Sequence, residues 1–199
     1  MNRQLRDIET KLKLLSEISN YADHSQRSLS KKLNIALGLA NSIIKKFLKK
    51  GLLKLSEAPL RRYSYYITPK GFVEKTKLVS DFVFSSLEFY RNARNDYENI
   101  LKKAKKENKN IILVGLSDLT DIAIMAAKIN NVKIKYIYSE NSDLEHYCGV
   151  KIKKIMSGIS IKKKKYFFVL TASHKNSNIS KKFKSEGYPL IKPNFFFWD

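Results

Sequence analysis

The sequence has little cysteine, few clustered histidines and no long apolar run. The single Cys148 excludes an internal disulfide and leaves no second thiol for a metal motif. His24, His146 and His174 lie far apart without metal-ligand spacing, so they do not indicate a catalytic or metal centre. No segment approaches the about 18 to 20 consecutive apolar residues of a membrane span. The first residues also lack the apolar core of a signal peptide. We therefore expect a cytoplasmic protein that is not an enzyme, needs no cofactor or metal and does not associate with a membrane.

Acidic residues are also scarce, because 18 Asp and Glu face 39 Lys and Arg, for a formal net charge of +21. Such an excess suits a polyanionic partner, either nucleic acid or an anionic membrane surface. A lysine-rich genome would raise the charge as well, and lysine predominates over arginine here. Hydrophobic residues make up 43% of the chain, which is enough for a packed core and excludes wholesale disorder.

Residues 25–51 have the pattern of two short helices separated by a tight turn. Ser25 can cap the first helix, which carries Leu29 and Leu33 inward, and Asn34 suits the turn because asparagine tolerates left-handed backbone geometry. A second helix is predicted over residues 36–50. Its apolar residues recur on one face: Ala40, Ile43, Ile44, Phe47 and Leu48.

The opposite face of this second helix is small, polar and basic. Insertion into the major groove of DNA requires close approach, hydrogen bonds to base edges and positive charge near phosphates. Any solvated helix face in a lysine-rich protein would look similar. The face by itself is therefore modest support for DNA recognition, and it consists of Gly38, Asn41, Ser42, Lys45 and Lys49.

The next segment completes a winged helix domain over residues 1–70. Residues 52–55 and 63–68 have strand patterns, and the loop between them carries Arg61 and Arg62, where a wing would meet phosphate or the minor groove. Thr68 and Pro69 mark the start of another helix. The predicted contacts to double-stranded DNA are Arg27, Gly38, Asn41, Ser42, Lys45, Lys49, Arg61 and Arg62.

The runs SQRSLSKKLNIALGLANSIIKKFLKKGLLKL and RRYSYYITPKGFVEKTKLVSDF carry a family resemblance. Over about residues 10 to 100 the chain resembles the MarR-type winged helix regulators, and within them a bacterial group linked to exopolysaccharide gene clusters. The resemblance implies a DNA-binding regulator. The chain departs from the family pattern at Asn34 and Ala36, where small or hydroxyl residues are more usual, and at Leu39, where a polar residue is expected. The change at Leu39 bears on which bases the helix reads.

From residue 70 to about 107 nothing breaks a helix, and a mostly apolar stripe follows it from Phe72 to Ala104. A small winged domain cannot cover so long a stripe, so we expect residues 71–109 to form a dimerisation and linker helix and the chain to be a homodimer through residues 71–107. The alternative is that the same stripe covers the next domain of its own chain.

Composition changes after this helix, and strands then alternate with helices. Residues 111–114, 132–138, 166–170 and 188–191 have strand patterns, and residues 118–130 and 173–186 have helix patterns. Such alternation predicts a parallel sheet. We expect residues 110–199 to form a small Rossmann-like α/β domain, which makes the fold class an α+β winged helix domain with a long dimerisation helix followed by a parallel-sheet domain.

The first turn of such a domain is where a nucleotide phosphate would bind. Here Gly115 is kept, but Ser117 and Thr120 replace the second and third glycines, and Asp118 adds negative charge. Glu140, beyond the second strand, is placed to bond a ribose hydroxyl. A dinucleotide is therefore a poor fit to this turn.

This half also resembles the Rossmann-like domain that precedes the catalytic part of bacterial sugar acyltransferases. The resemblance lies in ILVG at residues 112–115, in Ala126 and Ala127, and in residues 148–152. It implies a nucleotide-sugar or similar metabolite as effector, with Gly115, Ser117, Asp118 and Glu140 as ligand-binding candidates.

Three functions remain open from the sequence. The first is a dimeric transcription regulator, of polysaccharide or cell-surface genes, with a sensory or structural second domain. The second is a nucleotide-sugar or dinucleotide-binding enzyme. The third is a non-specific nucleic-acid-binding or interaction module in which the charge alone acts.

Overall fold

The fold is that of a computed structural model, which describes residues 3–21, 24–58, 62–140, 142–154, 165–172 and 178–197. The chain divides into two units, Met1–Leu87 and Glu88–Asp199. The division falls within one long helix, so each unit takes about half of it. The sequence had predicted three segments, with the helix as a segment of its own.

The first unit contains three helices, a two-stranded antiparallel hairpin and the beginning of the long helix. From residue 25 onward the sequence predicted this order, and the observed bounds differ from the predicted ones by a few residues. The elements are α1 (Arg3–Asn20), α2 (Gln26–Leu33), α3 (Leu37–Lys49), β1 (Leu53–Ala58), β2 (Arg62–Ile67) and α4 (Pro69–Lys106).

The helices of this unit share one apolar core. Leu14, Leu29 and Ile44, one from each of the first three helices, are fully buried, and the predicted inner face of α3 is confirmed. Burial of such side chains stabilises a fold by about 1.5 to 3 kcal/mol each. The core also takes in residues of the hairpin and of α4: Leu52, Leu53, Tyr65 and Leu78.

The turn between α2 and α3 has the predicted local chemistry. The Ser28 amide donates to the Ser25 hydroxyl over 3.0 Å, which caps α2. Asn34 ends α2 in the left-handed region, with φ of 51°. Ser30 then donates to the Ile35 carbonyl over 2.8 Å and holds the turn before α3 begins. These contacts fix the angle at which α3 leaves α2.

The start of α4 is packed directly against the end of α3 and the hairpin. The Thr68 hydroxyl accepts a hydrogen bond from the Gly71 amide over 3.0 Å and donates to the Gly51 carbonyl over 2.7 Å. Thr68 is therefore the predicted cap, followed by Pro69 in the first helical position. Gly71 lies so close to the chain that an added Cβ would be 2.0 Å from the Leu52 carbonyl oxygen.

Among the described residues, the second unit is built on a six-stranded sheet with helices on its faces. The elements are β3 (Asn110–Val114), α5 (Asp118–Ile129), β4 (Ile134–Ser139), β5 (His146–Tyr147), β6 (Val150–Lys154), β7 (Tyr166–Leu170), α6 (Asn178–Ser185) and β8 (Leu190–Ile191). The strands lie in the order β5-β6-β4-β3-β7-β8. All neighbouring pairs are parallel except the short hairpin of β5 and β6. The sheet is therefore mixed, and the prediction of a purely parallel sheet was wrong at this hairpin.

Alternate residues of the strands face two different cores. Ile111, Leu113 and Val169 face α5 and residues 88–106 of α4, while Ile112 and Phe168 face α6. Helices thus pack on both faces of the sheet, as in α/β domains. The layers bury the central strand β3 from Ile111 to Val114.

The second half of α4 is covered by its own chain. Ala93, Tyr97, Leu101 and Ala104 are at most 2% exposed, and they belong to the core formed with the sheet and α5. This is the alternative that the sequence left open for the apolar stripe. For residues 88–106 the expectation that a partner chain covers the stripe is therefore wrong, because the sheet already does so.

The end of the chain docks on the same part of α4. Residues 194–197 form a 3₁₀ turn, and the Asp96 carboxylate accepts a hydrogen bond from the Phe195 amide over 2.9 Å. The Phe195 ring packs edge-on against Phe89 and Tyr97. Phe195 thus anchors residues 194–197 on the second unit.

We predict that Gly71→Ala lowers the free energy of unfolding of the first unit by about 1 to 3 kcal/mol, since the new methyl group must displace backbone. Calorimetry of the intact chain measures this as a lower midpoint for one transition. Gly38→Ala is the matched control, because no atom lies within 4 Å of a Cβ there. Equal midpoints for the two variants would contradict the packing at Gly71.

Candidate nucleic-acid interface

Helix α3 has one buried and one open face. Gly38, Ser42, Lys45 and Lys49 lie on the open face, while Ala40, Ile43, Ile44 and Phe47 are buried on the other. At about 3.6 residues per turn the four open positions stack along one line of the helix. The structure therefore brings together these four predicted DNA contacts on a single exposed ridge.

Three further residues share this ridge or flank it. Asn41 is half-buried at its border, and its Oδ1 has no hydrogen-bond partner within the described part of the chain. Lys46 is exposed beside Ser42, and Leu39 is 47% exposed. Lys46 was not among the predicted DNA contacts, although helical periodicity places it next to Ser42.

Gly38 leaves the beginning of the ridge without a side chain. The absence of any neighbour within 4 Å shows that the glycine is not required for packing, and its backbone lies in an ordinary helical conformation. Glycine in a helix costs up to about 1 kcal/mol relative to alanine. A surface that another macromolecule approaches closely is the setting in which a side-chain-free position has a use.

The β1–β2 hairpin has the position of a wing. Its strands pair from Leu53 with Ile67 to Ala58 with Arg62. The Gln26 amide of α2 donates to the Tyr65 hydroxyl over 3.0 Å, so the hairpin is fixed to the helix-turn-helix. Arg62 is the first residue of β2, and Arg61 lies outside the described residues.

Arg27 is the remaining predicted contact. It lies in the first turn of α2 and is exposed. Two more exposed lysines, Lys31 and Lys32, follow on the same short helix, and Lys32 pairs with Glu17 over 2.6 Å. The basic character of the first unit therefore extends from α3 onto α2.

The turn after β3, the candidate ligand site of the second unit, is closed by internal hydrogen bonds. Ser117 donates to the Thr171 carbonyl over 2.5 Å, and Thr171 donates to the Gly115 carbonyl over 2.5 Å. Thr120 accepts from the Ser117 amide over 2.9 Å in a capping box. The amides and hydroxyls that would meet a phosphate are therefore largely paired with the protein itself.

Gly115 serves this closure rather than an open loop. Its φ is 103°, and an added Cβ would lie 2.5 to 2.7 Å from atoms of Ala172 in the turn after β7. The glycine thus allows two turns to touch. The other two ligand candidates, Asp118 and Glu140, are exposed at the same edge of the sheet and add negative charge there.

Two residues of the hairpin formed by β5 and β6 contact the carboxylate of Asp121 in α5. The Tyr147 hydroxyl donates to Asp121, and this hydrogen bond raises the pKa of Tyr147 to about 12. Cys148, exposed in the turn, lies 3.8 Å from the same carboxylate. In the described ranges no group of three or more His, Cys, Asp or Glu side chains is arranged to hold a metal ion.

Comparison with known proteins agrees with the geometry of the first unit. Residues 9–54 match the family described as winged helix-turn-helix DNA-binding. No curated protein sequence matches the chain. Met1–Leu87 therefore contains a winged helix-turn-helix DNA-binding domain, and this part of the sequence prediction is confirmed. The assignments to the MarR type and to an acyltransferase-like domain stay predictions.

Solved structures align with parts of the chain. A protein of unknown function from Listeria innocua Clip11262 is 25% identical over 40% of this chain and 55% of that chain, with a TM-score of 0.33. Streptococcus pneumoniae FabT in complex with DNA is 19% identical over 61% and 69%, with a TM-score of 0.32. The archaeal chromatin protein TrmBL2 is 14% identical over 65% and 60%, with a TM-score of 0.26. This chain thus spans about half of the Listeria protein, and none of the three matches it as a whole.

Among the helices that the structure describes, none is both long enough and apolar enough to cross a bilayer. Even α4, with 38 residues, carries charged side chains along its whole length.

We predict that Thr120→Val lowers the free energy of unfolding of the second unit by about 1 to 3 kcal/mol, because the Ser117 amide loses its partner inside the closed turn. Thermal unfolding of the full chain measures the loss. Thr10→Val on α1 is the control, since that exposed hydroxyl bonds only the Arg6 carbonyl of its own helix. A change no larger than the control would contradict the closed turn.

Proposed function

We propose that the protein is a transcription regulator of the cytoplasm that binds double-stranded DNA through its winged helix domain. The observation that carries this proposal is the ridge of α3, where Gly38, Ser42, Lys45 and Lys49 stand exposed above a fully packed inner face. A helix with a small, polar and basic outer face fits the major groove, and the hairpin supplies a second contact to the backbone.

Individual residues of the ridge take different roles in this proposal. Lys45 and Lys49 neutralise phosphates, Ser42 and Asn41 hydrogen-bond to base edges, and Gly38 lets the backbone approach. Leu39, exposed at one side of the ridge, offers an apolar surface of the kind that contacts the methyl group of thymine. The departure from the family pattern at Leu39 thus becomes a determinant of base preference.

The resemblance to MarR-type regulators of exopolysaccharide gene clusters supports polysaccharide or cell-surface genes as targets. In the second unit the parallel strands lie in the order β6-β4-β3-β7-β8, which is the order of doubly wound folds and supports the Rossmann-like assignment. We propose a sensory or structural role for that unit. An enzyme acting at residues 115–118 is disfavoured, because that turn is closed by its own hydrogen bonds.

The first half of α4 supports homodimerisation. Phe72, Val73 and Phe84 are 55%, 72% and 68% exposed, although large apolar side chains are normally buried. At about 3.6 residues per turn these three share one face of the helix with Val79, Val83 and Leu87. In a symmetric dimer, a continuous apolar face of this length is covered by the same face of a second copy of the chain.

We predict that Lys45→Ala and Arg62→Ala each weaken binding to a cognate promoter duplex about tenfold at physiological salt, through loss of a phosphate contact. The slope of log affinity against log salt falls by about 0.9 for each. Lys13→Ala is the matched control, since Lys13 is exposed on α1 and pairs only with Glu9. Fluorescence anisotropy measures all three. Unchanged affinity in both variants would refute the proposal, and equal affinity for random duplex would favour the non-specific module.

We predict that Val79→Glu combined with Val83→Glu converts the dimer to a monomer, because two carboxylates cannot be buried in an apolar interface. Sedimentation velocity measures the change in mass. The control is Ile129→Glu with Leu144→Glu, which alters two apolar side chains that are 58% and 55% exposed in the second unit. A wild-type chain that sediments as a monomer at micromolar concentration would exclude this interface.

A further inference from the structure

In the described residues of the second unit, lysines are concentrated on the side of the sheet where its parallel strands begin. This side and the side where the strands end are called its two edges below. Strands β3, β4 and β7 are parallel and begin together, since Ile111 pairs with Ile134 and Asn110 with Tyr166. Helices α4 and α5 end just before β3 and β4, so their last turns lie at the same edge. Eight lysines, here named the lysine edge, lie in these helix ends and strand starts: Lys103, Lys105, Lys106, Lys109, Lys128, Lys133, Lys135 and Lys165.

Among the described residues, the opposite edge, where the strands end, has more balanced charge. Asp118 and Asp121 open α5 and Glu140 follows β4, while Lys153 and Lys154 end β6. At the lysine edge the described carboxylates are Glu107, which pairs with Lys109 over 2.7 Å, and Glu186 after α6. A composition bias alone would spread lysines over the whole surface. The separation therefore indicates a use for the basic edge.

Contacts between different elements connect the lysine edge. The Lys105 ammonium donates to the Asn130 carbonyl over 3.4 Å, which joins the ends of α4 and α5. The Lys135 ammonium donates to the Tyr166 hydroxyl over 2.8 Å, which joins the starts of β4 and β7. Lys109 lies 4.6 Å from the centre of the Phe167 ring. The edge is thus one connected surface on rigid elements.

Helix dipoles explain only part of this arrangement. Lysines in the last turns of α4 and α5 are favoured there by about 0.3 to 1 kcal/mol each, because the helix ends carry partial negative charge. Lys133, Lys135 and Lys165 stand instead before or within strands, where no such effect acts. The hydrogen bond to Tyr166 raises the pKa of Lys135, so this ammonium stays charged.

We propose that the lysine edge is a second DNA-binding surface, which holds the phosphate backbone of duplex DNA without reading its sequence. Several positive side chains grouped on helix ends and strand starts can neutralise phosphates of a duplex and release their counterions. In the described ranges aromatic side chains at this edge lie beneath lysines rather than free to stack on bases, which favours a duplex over single strands. The surface adds affinity for DNA of any sequence, and the winged helix adds the specificity.

The test uses the full chain with the triple variant Lys103→Gln, Lys106→Gln and Lys133→Gln. These lysines are exposed and make no ion pair or side-chain hydrogen bond with the described residues, and glutamine keeps helix propensity. The matched control is Arg91→Gln, Lys151→Gln and Lys181→Gln, which removes the same charge from exposed positions of the same unit outside the lysine edge. Circular dichroism and thermal unfolding verify that both triples fold.

Affinity for a 40-base-pair random duplex is measured from about 50 to 200 mM salt. We expect the edge triple to lower the salt slope by between about 1 and 3, and affinity at least about tenfold, with little change in the control. Equal slopes for the two triples would overturn the proposal. So would tighter binding of single-stranded RNA, or of phosphatidylglycerol vesicles, through the same lysines.

The outcome is separable from that of the winged helix. Lys45→Ala, measured on the same random duplex, reports the first unit, and the edge triple reports the second. An effect of the edge triple alone leaves this inference standing while the winged helix proposal fails. An effect of Lys45→Ala alone gives the reverse result.

Discussion

The burial of one side of α4 is the constraint on which both units depend. A helix of 38 residues presents far more apolar surface than one small core needs. Its first residues complete the winged helix core through Leu78, and its later residues complete the sheet core through Tyr97 and Leu101. The Tyr97 hydroxyl also donates to the Leu170 carbonyl over 3.0 Å, so its polar atom is paired in the dry core. The same helix therefore serves as a core element twice.

This double use limits where a second copy can bind. Residues 88–106 carry fully buried side chains, among them Tyr97 and Leu101, whereas the exposed phenylalanines and valines lie before residue 88. The sequence shows a single stripe along the helix, and periodicity alone does not tell which part faces its own domain. The strands that cover the second half follow in the chain, and only their packing decides the matter. The apolar face open to a partner is accordingly shorter than the sequence indicated.

Local chemistry made much of the fold predictable. Caps such as Ser25 and Thr68, the left-handed Asn34 and the apolar face of α3 are set by nearby residues, and all were found where the pattern placed them. The hairpin of β5 and β6 was not predicted from the sequence, because only two apolar residues, Val150 and Ile152, alternate with lysines in VKIKK. Its turn is formed by Cys148 and Gly149, whose φ angles are 48° and 81°. A single glycine in a sequence is weak evidence for such a turn.

Glycine shows why the candidate sites were harder to predict than the elements. The sequence alone does not distinguish Gly38, Gly71 and Gly115. In the structure an added Cβ would have no atom within 4 Å at Gly38, but it would clash with the Leu52 carbonyl at Gly71 and with Ala172 at Gly115. Only contacts distant in sequence distinguish a glycine with free space around it from one that packing requires. The same holds for Ser117 and Thr120, which in a phosphate-binding turn would be departures but here close a capping box. Periodicity in the sequence was enough to predict the exposed polar face of α3, whereas the closed turn at Gly115 depends on Ala172, which follows a distant strand.

Charge is the property for which position in the fold matters most. An excess of lysine in a sequence is compatible with a composition bias, with a membrane surface or with nucleic acid. Parallel topology converts it into a testable statement, because all strand starts and the preceding helix ends meet at one edge. Lysines at Lys103, Lys133 and Lys165 are far apart in the chain and come to the same edge only through that topology. Among the described residues, the side where the strands end carries Asp118, Asp121 and Glu140 as well as Lys153 and Lys154, so the excess of lysine is not uniform over the domain.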